Sequence, residues 1–391
     1  MDFELTEEHR HFQDAIRDFA QKEIAPLVDE AEETNVFPQQ LFKKMGALGF
    51  LCPRYPVELG GGGGDKIMDC IMAEELNRVN AGIAASLMVQ GGLSTQPIYH
   101  FGSEKQKERF LIPAIKGEKI AAFALTEPDS GSDAASIKTR ALRDGDDFII
   151  NGTKIFTTNG PICDYATVAA YTDPSKRGEG INLFIVEKGI SGFSVSRKLD
   201  KVGNRSIETG ELVFEDCRVP SKNMIGEKEG GGFDMIADTL ISGRISYGGR
   251  CTGTAQAAYE LTVQYAKERI QFGRPIVKFQ AIRFKLAEMA MNIDIMRSYT
   301  YRVAWMYDQG KNVRKESSMV KLFTAETLQK ILSDSMQIHG GYGYMMEYPI
   351  QRYWRDGRLF TITEGTSEIQ RLIIANETLN DPEPKVLEGA S

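Results

Sequence analysis

The chain has 391 residues, of which 42% are hydrophobic and 26% are charged, and its formal net charge is −7. A chain of this length is expected to form two or three domains. The acidic balance, without a basic stripe, argues against nucleic acid as a partner. No stretch approaches the roughly 18 apolar residues that cross a bilayer, so no membrane insertion is expected.

The start of the chain and its cysteines indicate the compartment. The N-terminal segment is acidic and amphipathic, without the regions of a secretory signal or an Arg-rich transit segment, which predicts a cytoplasmic location. The five cysteines are scattered without CxxC spacing. This pattern argues against a disulfide framework or a zinc site, so we expect reduced thiols and no metal.

Helical periodicity dominates residues 1–118, which we predict to form an N-terminal helical domain. Ser103 and Gln106 stand at the spacing of a capping box, which marks the start of a helix. The glycine run at 59–66 lacks the Lys-Ser or Lys-Thr ending of a phosphate-binding P-loop. We therefore interpret this run as a flexible surface connection.

Residues 119–229 consist of β-rich segments separated by Gly and Pro, and we predict a small middle β domain, either a sandwich or a barrel. The dipeptide Asn151-Gly152 lies between two of these segments. Because Asn-Gly favours the tight turn of a β-hairpin, we predict a hairpin turn at this position.

Helical patterns return in residues 230–391, the predicted C-terminal helical bundle domain. Apolar residues step by four and three from Ile282 to Met296, along a helix expected to stop near Gly310. Residues 380–391 are expected to form a loose tail.

The predicted fold class is therefore α+β and mainly α, with a sheet between two helical domains. This order leaves a cleft where the sheet meets the helices. Cofactors often bind in clefts between domains, so we expect the functional site there.

Five segments carry the motifs on which a functional assignment depends. The first, 123–133, is a short strand followed by a Ser-Gly-Ser turn whose N–H groups and hydroxyls suit a phosphate or a polar heterocycle. Taken alone, these residues are also typical of an ordinary turn. The other segments follow at 154–160, 268–280, 337–344 and 363–371. In this order and spacing, over nearly the full length, the segments resemble those of the acyl-CoA dehydrogenase family of flavoproteins.

The resemblance implies an FAD cofactor held by residues from several segments. The family's contacts to the flavin ring and pyrophosphate fall on Leu125, Thr126, Gly131, Ser132, Phe156 and Thr158. Its contacts to the adenosine-diphosphate part of an FAD bound by a neighbouring subunit fall on Arg269, Gln271, Phe272, Gln337, Gly340 and Gly341. Further FAD contacts fall on Thr366 and Glu368. Because such sharing needs at least a dimer and the family is usually a dimer of dimers, we expect a homotetramer.

Glu364 follows a β-branched run and precedes a Gly-Thr-Ser turn. By itself, such a residue is typical of a capping acid beside a helix start. The resemblance implies instead that Glu364 is the catalytic base, which removes the α-proton of an acyl-CoA thioester while the β-hydrogen leaves as hydride to flavin N5. Some members carry the base at a position that corresponds to Gly243 here, so no second carboxylate competes with Glu364.

The resemblance also places substrate contacts around this base. They fall on Ser132, Arg244, Tyr247, Thr363, Gly365 and Arg371. Without the resemblance, Arg244 is typical of a surface ion pair, and Arg371 is typical of a solvated helix face. The resemblance further implies that an electron-transfer flavoprotein accepts the electrons.

The acyl pocket departs from the family's straight-chain pattern. Thr363 stands where such members usually have Tyr, and Tyr247 stands where smaller residues are common, so we expect a reshaped cavity with residues 86–97 along the acyl end. Arg250 is a candidate partner for a second substrate carboxylate, although its position about 240° around the helix from Arg244 favours a subunit contact. We predict a branched, aromatic or otherwise modified acyl group, such as that of benzylsuccinyl-CoA.

Three alternatives stay open. A short-chain, butyryl-type dehydrogenase would perform the same reaction on a plain acyl group. A flavin oxidase or monooxygenase on the same scaffold would let oxygen reach the reduced flavin. A non-catalytic acyl-CoA binder would retain the fold without the reaction, which the intact motifs disfavour.

Overall fold

The computed structural model describes residues 4–226 and 228–379, so the tail expected at 380–391 lies outside the described residues. Within them, helices come first, then a β-sheet, then helices again, which confirms the predicted fold class. The first group of helices comprises α1 Glu7–Phe19, α2 Val28–Thr34, α3 Gln40–Ala47, α4 Lys66–Val79, α5 Ala81–Val89, α6 Gln96–Phe101, α7 Glu104–Gln106 and α8 Ile112–Ile115.

The predicted capping box is present at the start of α7. The amide of Gln106 donates to Ser103 Oγ at 3.3 Å, and the amide of Ser103 donates to Gln106 Oε1 at 2.9 Å. Two otherwise unpaired backbone donors are thereby satisfied, which fixes the helix start.

The glycine run at 59–66 lies partly at the surface, as predicted, since Gly62 and Gly63 are exposed, but its other residues pack against their neighbours. A Cβ atom added to Gly61 would lie 2.2 Å from the carbonyl oxygen of Tyr55, so the two backbones touch. Asp65 caps α4 by accepting a 2.9 Å hydrogen bond from the amide of Met68. Lys66 follows and is only 1% exposed. The glycine run therefore ends at a buried lysine, Lys66.

The middle part forms one eight-stranded sheet with the order β6-β7-β3-β2-β4-β5-β8, and β1 pairs with β4. Its pairs are antiparallel except for β1 with β4 and β2 with β4. The strands are β1 Ala121–Ala124, β2 Arg140–Asp144, β3 Asp147–Thr158, β4 Tyr165–Tyr171, β5 Ile181–Glu187, β6 Phe193–Lys198, β7 Thr209–Pro220 and β8 Met224–Ile225.

The hairpin turn between β2 and β3 lies at Gly145, which has a φ of 61°, and the prediction of a turn at Asn151-Gly152 is wrong. Strand β3 continues through this dipeptide, with a register irregularity against β7. A Cβ atom on Gly152 would lie 2.3 Å from Thr139 Oγ1. The close approach of Thr139, rather than a turn, therefore explains the glycine.

The third part is a helical bundle, with Leu286, Met289, Ile293 and Met296 buried along one helix. It comprises α9 Gly232–Glu268, β9 Ile270–Gln271, β10 Arg274–Pro275, α10 Gln280–Asp308, α11 Arg314–His339, α12 Ile350–Gly357 and α13 Ser367–Leu379.

The domain boundaries expected at 118 and 229 fall in the connections between these parts. The chain changes from helix to strand between Ile115 and Ala121, and from strand to helix between Ile225 and Gly232. The boundaries within these intervals stay predictions.

The long helix α9 joins the parts of the molecule, because it packs against α4, α10 and α11. One core cluster combines Ile83 of α5, Leu183 of β5 and Ile236 of α9. All five cysteines are free and buried, as expected for reduced thiols. None of the helices in the described ranges combines the length and apolar character needed to cross a membrane.

Candidate active site

A cleft lies where α4, α5 and α9 meet the loop that precedes α13. The stretch at 86–97, expected along the acyl end, contributes one wall. Its lining residues are Met88, Val89, Gly92, Leu93 and Gln96. Helix α9 contributes Thr239, Ser242, Gly243, Ser246 and Arg250, and the remaining lining residues are Arg54, Lys66, Asp69 and Glu364.

Glu364 has a left-handed backbone, with a φ of 55°, and Gly365 follows with a φ of 92°. The left-handed conformation costs a non-glycine residue about 1–2 kcal/mol. Such strain is typical of functional positions, where the surrounding structure holds the residue in place. Glu364 is not the helix cap that its position also suggested, because Thr366 Oγ1 accepts the 3.3 Å hydrogen bond from the amide of Ile369.

The backbone of Glu364 is held by three side chains that are almost fully buried. Arg244 Nε donates to the Glu364 carbonyl oxygen at 3.4 Å, and Gln370 Nε2 donates to the same oxygen at 3.1 Å. Lys321 Nζ donates to the Gly365 carbonyl oxygen at 2.7 Å. These bonds fix the loop, so Arg244 acts on Glu364 through its main chain.

The Glu364 carboxylate is buried with few partners. Its Oε2 atom is buried without a hydrogen-bond partner among the described residues. Its Oε1 atom lies 3.9 Å from Arg250 Nη1. Burial raises the pKa of Glu364, against the lowering effect of the charges on Arg250, Lys321 and Arg244. The result is a carboxyl group with a raised proton affinity that faces the cleft.

Gly243 provides the space for this carboxylate. A Cβ atom on Gly243 would lie 2.6 Å from Glu364 Oε2, which is closer than atoms of these types can pack. The absence of a side chain on α9 and the position of Glu364 are therefore coupled.

Arg250 lines the cleft, which answers the question of whether it faces the pocket or a subunit contact. Its guanidinium lies over the rings of Tyr247 and Phe360, at 4.8 and 5.1 Å from their centroids. The rotation of 240° from Arg244 suggested a subunit contact for Arg250. This argument failed because a long side chain in a helix can extend back toward the preceding turn.

Tyr247 lies behind Arg250 and is not among the residues that line the cleft. Its ring is 1% exposed, and its hydroxyl is hydrogen-bonded to Thr363 Oγ1. The smaller Thr363 thus leaves room for the Tyr247 hydroxyl. The pair supports Arg250 instead of forming the acyl wall that the sequence predicted.

A charged wall formed by Arg54, Lys66 and Asp69 was missed in the sequence. Lys66 Nζ donates to Asp69 Oδ2 at 2.5 Å and to Ser246 Oγ at 2.6 Å. Burial opposes ionisation of Asp69, but the charges of Lys66 and Arg54 lower its pKa to about 2. The sequence feature that could have revealed this wall is the Lys-x-x-Asp spacing of Lys66 and Asp69 at the start of α4. Such pairs are too common on helices to identify a site.

The segment expected to hold the flavin is anchored by a second pair that the sequence did not reveal. Lys154 Nζ donates to the Leu125 carbonyl oxygen at 2.9 Å and to Glu127 Oε1 at 2.7 Å. The Thr126 carbonyl oxygen accepts a 2.8 Å bond from the amide of Ile155. The turn after β1 is thereby tied to strand β3.

The surface next to this anchor fits a planar aromatic group. Phe156 has a φ of 59°, and its ring is 66% exposed. Gly131 and Ser132 are exposed, a Cβ atom on Gly131 would meet no atom within 4 Å, and Thr158 is half-buried. An exposed aromatic ring beside free backbone and hydroxyls suits a flavin and its pyrophosphate.

The residues expected to hold the adenosine-diphosphate part form a separate exposed cluster. Phe272 is 92% exposed and has a φ of 50°. Arg269 lies over the Tyr342 ring at 5.2 Å, which brings the β9–β10 hairpin to the end of α11. Gln337 lies near the end of α11, and Gly340 and Gly341 have open space around them. Gln271 is exposed in the same hairpin.

The remaining candidates lie on the outer part of α13. Glu368 has a side chain that is 78% exposed, and Arg371 pairs with it at 3.8 Å. Arg371 also donates to Glu326 Oε1 at 2.5 Å. Arg371 therefore lies on a solvated helix face and does not line the cleft.

The helical, sheet and helical order, the buried carboxylate in the cleft and the exposed aromatic surface beside β1 fit a flavin-dependent dehydrogenase. Family models for the acyl-CoA dehydrogenase N-terminal, middle and C-terminal domains match residues 6–118, 122–217 and 230–379. The chain therefore belongs to the acyl-CoA dehydrogenase family.

Several relatives are similar over almost the whole chain. The mitochondrial short-chain specific acyl-CoA dehydrogenase of Rattus norvegicus is 42% identical over 96% of this chain and 91% of its own. A 3-(aryl)acrylate reductase of Clostridium sporogenes is 42% identical over 96% and 99%. The solved butyryl-CoA dehydrogenase of Megasphaera elsdenii has a TM-score of 0.94 at 39% identity and covers 97% of this chain and 100% of its own.

The enzyme is an FAD-dependent oxidoreductase that acts on the CH–CH group of an acyl-CoA thioester.

Proposed function

We propose that the enzyme converts an acyl-CoA to its trans-2-enoyl-CoA, with Glu364 as the base that removes the α-proton. The main support is the buried Glu364 carboxylate, whose Oε2 atom has no hydrogen-bond partner among the described residues. A carboxylate without donors is free to accept a proton from carbon, and its raised pKa makes the ionised form a stronger base than an ordinary carboxylate.

The chain's own residues position the base and the thioester. Arg244, Gln370 and Lys321 hold the loop through the Glu364 and Gly365 carbonyl oxygens, so the carboxylate keeps its direction while it accepts the proton. The main-chain N–H of Glu364 is our candidate donor to the thioester oxygen, where negative charge develops as the α-proton leaves.

FAD, when bound, supplies the acceptor for the β-hydride. We assign its flavin and pyrophosphate contacts to the surface around Leu125, Thr126, Gly131, Ser132, Phe156 and Thr158. We assign its adenosine-diphosphate contacts to Arg269, Gln271, Phe272, Gln337, Gly340 and Gly341, in the next subunit of a homotetramer, and further contacts to Thr366 and Glu368. The exposure of Phe272 supports a partner that covers it.

For the acyl group we propose a branched, aromatic or otherwise modified chain, of which that of benzylsuccinyl-CoA is one example. Gly92 supports this proposal, because a Cβ atom there would meet no atom within 4 Å. The name of the aryl-acrylate relative is compatible with an aromatic group. A short-chain substrate is the second candidate, which the similarity to a butyryl-CoA dehydrogenase favours. We also propose that an electron-transfer flavoprotein accepts the electrons and that the enzyme is cytoplasmic.

The test is an anaerobic titration of the FAD-loaded enzyme with a panel of acyl-CoA thioesters, in wild type and in Glu364→Gln. Bleaching of the flavin by one thioester should slow by about 10²- to 10⁴-fold in the variant. Glu104→Gln, which changes an exposed carboxylate, should bleach like wild type. Equal bleaching in Glu364→Gln would exclude Glu364 as the base. Fastest bleaching by butyryl-CoA would favour the short-chain alternative.

A further inference from the structure

The cleft is lined by more positive than negative side chains. Arg54, Lys66 and Arg250 face two carboxylates, Asp69 and Glu364. The charged lining therefore carries one positive charge in excess. A hydrocarbon acyl chain would leave this excess charge uncompensated in a largely buried site, which is unfavourable.

Arg250 is the least paired of the three cations. It is 8% exposed, and its Nε atom is buried without a hydrogen-bond partner among the described residues. Its nearest carboxylate atom is Glu364 Oε1, at 3.9 Å from Nη1, beyond hydrogen-bond distance. The Tyr247 and Phe360 rings contact the guanidinium. Because an aromatic ring accepts no conventional hydrogen bond from the guanidinium in such a contact, its N–H donors remain for a planar anion.

Arg54 is also incompletely paired, whereas Lys66 is not. Lys66 Nζ donates to Asp69, Ser242 and Ser246 at 2.5, 3.0 and 2.6 Å, which uses all three donors of an ammonium group. Arg54 Nε lies 3.6 Å from Asp69 Oδ2, beyond hydrogen-bond distance, and Nη2 donates to Ser242 Oγ at 3.1 Å and to Gln96 Oε1 at 3.4 Å. Asp69 is therefore engaged mainly by Lys66, while Arg54 lines the cleft with neutral hydrogen-bond partners.

We infer that Arg250 and Arg54 form a receptor for a second carboxylate on the acyl group, with Lys66 and Asp69 as its fixed support. The inference rests on the proposed function, because it concerns the acyl part of the same cleft. It names the substrate class as the CoA thioester of a dicarboxylic acid.

The receptor lies close to the reacting carbon atoms. Arg250 adjoins the Glu364 carboxylate. Ser242, which binds Lys66 and Arg54, precedes Gly243, and a Cβ atom on Gly243 would lie 2.6 Å from Glu364 Oε2. A carboxylate bound here is therefore only a few carbon atoms from the α-carbon. Short acyl groups such as glutaryl or a substituted succinyl meet this requirement.

The test compares two pairs of thioesters, each of which differs by one carboxylate. The pairs are glutaryl-CoA with butyryl-CoA, and benzylsuccinyl-CoA with the analogue in which hydrogen replaces the free carboxylate. Dissociation constants are measured from the flavin absorbance of FAD-loaded Glu364→Gln, which separates binding from turnover. We expect the carboxylated member of at least one pair to bind about tenfold or more tightly, as charge-assisted pairing predicts.

Two further variants identify the groups responsible. Arg250→Gln and Arg54→Gln, each combined with Glu364→Gln, should each reduce the preference for the carboxylated member by about tenfold. Lys22→Gln is the matched control, because it removes a positive charge whose side chain is 70% exposed. The preference should be unchanged in this control.

Equal dissociation constants within both pairs would overturn the receptor, and so would a preference that survives both arginine variants. The proposed function is judged separately from the bleaching of wild-type flavin. Bleaching by any acyl-CoA supports the dehydrogenation, whatever the carboxylate preference. If no acyl-CoA bleaches the flavin, the proposed function fails, but the ratios of dissociation constants still test the receptor.

Discussion

Two buried glutamates in this enzyme have opposite surroundings. Glu127, in the turn after β1, is 5% exposed and accepts hydrogen bonds from Lys154 Nζ at 2.7 Å, from the Thr139 hydroxyl at 2.6 Å and from the Lys138 amide at 2.5 Å. Glu364 has an unpaired Oε2, and its nearest cation is 3.9 Å away. Both carboxylates lie beside cations, so charge alone does not distinguish them.

The difference lies in hydrogen bonding to the ionised form. Burial raises the pKa of Glu127, but the Lys154 charge and the donors outweigh it, so the net shift is downward. For Glu364 burial prevails and the pKa is raised. Glu127, whose carboxylate accepts several hydrogen bonds, has a structural role. Glu364, whose Oε2 atom accepts none, is available to take a proton.

The two shifts change stability in opposite directions with pH. The lowered pKa of Glu127 contributes stability above its unfolded value, and this contribution is lost as pH falls through the folded pKa. The raised pKa of Glu364 means that the folded protein holds this proton more tightly than the unfolded chain. Its contribution is therefore present at low pH and is lost as pH rises through the raised pKa.

The largest expected effect follows from breaking the paired site. Lys154→Met removes the cation and leaves Glu127 buried without its main partner, which should lower the free energy of unfolding by about 3–5 kcal/mol. Urea denaturation followed by circular dichroism measures this loss.

The double variant Lys154→Met, Glu127→Leu is the matched control, because it leaves no unpaired buried charge. It should recover a large part of the lost stability. A double variant as unstable as the single one would show that the pair matters for packing rather than charge.

The next effect comes from displacing the unpaired carboxylate. Gly243→Ala places a Cβ atom 2.6 Å from Glu364 Oε2, so the base must move. We expect the rate of anaerobic flavin reduction to fall by about 10²-fold, as displacement of a catalytic group by about 1 Å does. Because alanine is favoured over glycine within a helix by about 1 kcal/mol, the melting temperature should hardly change.

Gly178→Ala is the control for Gly243→Ala. A Cβ atom there meets Phe233 no closer than 3.4 Å, an ordinary contact. Its rate should equal that of wild type, and a normal rate in Gly243→Ala as well would contradict the predicted coupling.

Arg250→Gln should change the pH dependence of the rate of flavin reduction. Its charge is the strongest influence that lowers the pKa of Glu364 against burial, so its removal should raise this pKa further. Flavin reduction requires the ionised base, so the acid limb of the pH profile should move to higher pH. Stopped-flow measurements of single turnovers across pH provide the profile, and a shift to lower pH would contradict the assignment.

The smallest effect is expected for Tyr247→Phe. It removes the hydrogen bond between the Tyr247 hydroxyl and Thr363 but keeps the ring that supports Arg250. A loss of about 1 kcal/mol of stability is expected, as for an ordinary hydrogen bond. Thr363→Val should match it in thermal unfolding, and additive losses in the double variant would show that the two groups do not interact.

The order of the domains could be predicted because helical and strand periodicities are local. The position of Glu364 could be predicted only through the motif around it, since nothing in its own sequence reveals that its carboxylate lacks donors. Asn151-Gly152 misled because a glycine required by a close contact has the same sequence signature as one required by a turn.

The charged wall could not be predicted from local patterns. Arg54 and Lys66 are distant in sequence from Ser242 and Ser246, and only the packing of α4 on α9 joins them. Tyr247 and Arg250 exchanged their expected roles for a similar reason. Side-chain length and stacking, rather than helical rotation, decide which of them reaches the cleft.

Proton abstraction by Glu364 is tested most directly by exchange of the substrate α-proton with solvent. The FAD-loaded enzyme is incubated anaerobically in D₂O with a thioester that it binds, and deuterium at the α-carbon is measured by mass spectrometry. Wild type should incorporate deuterium, and Glu364→Gln should bind the thioester without incorporating it. Incorporation by Glu364→Gln at the wild-type rate would show that another group removes the proton.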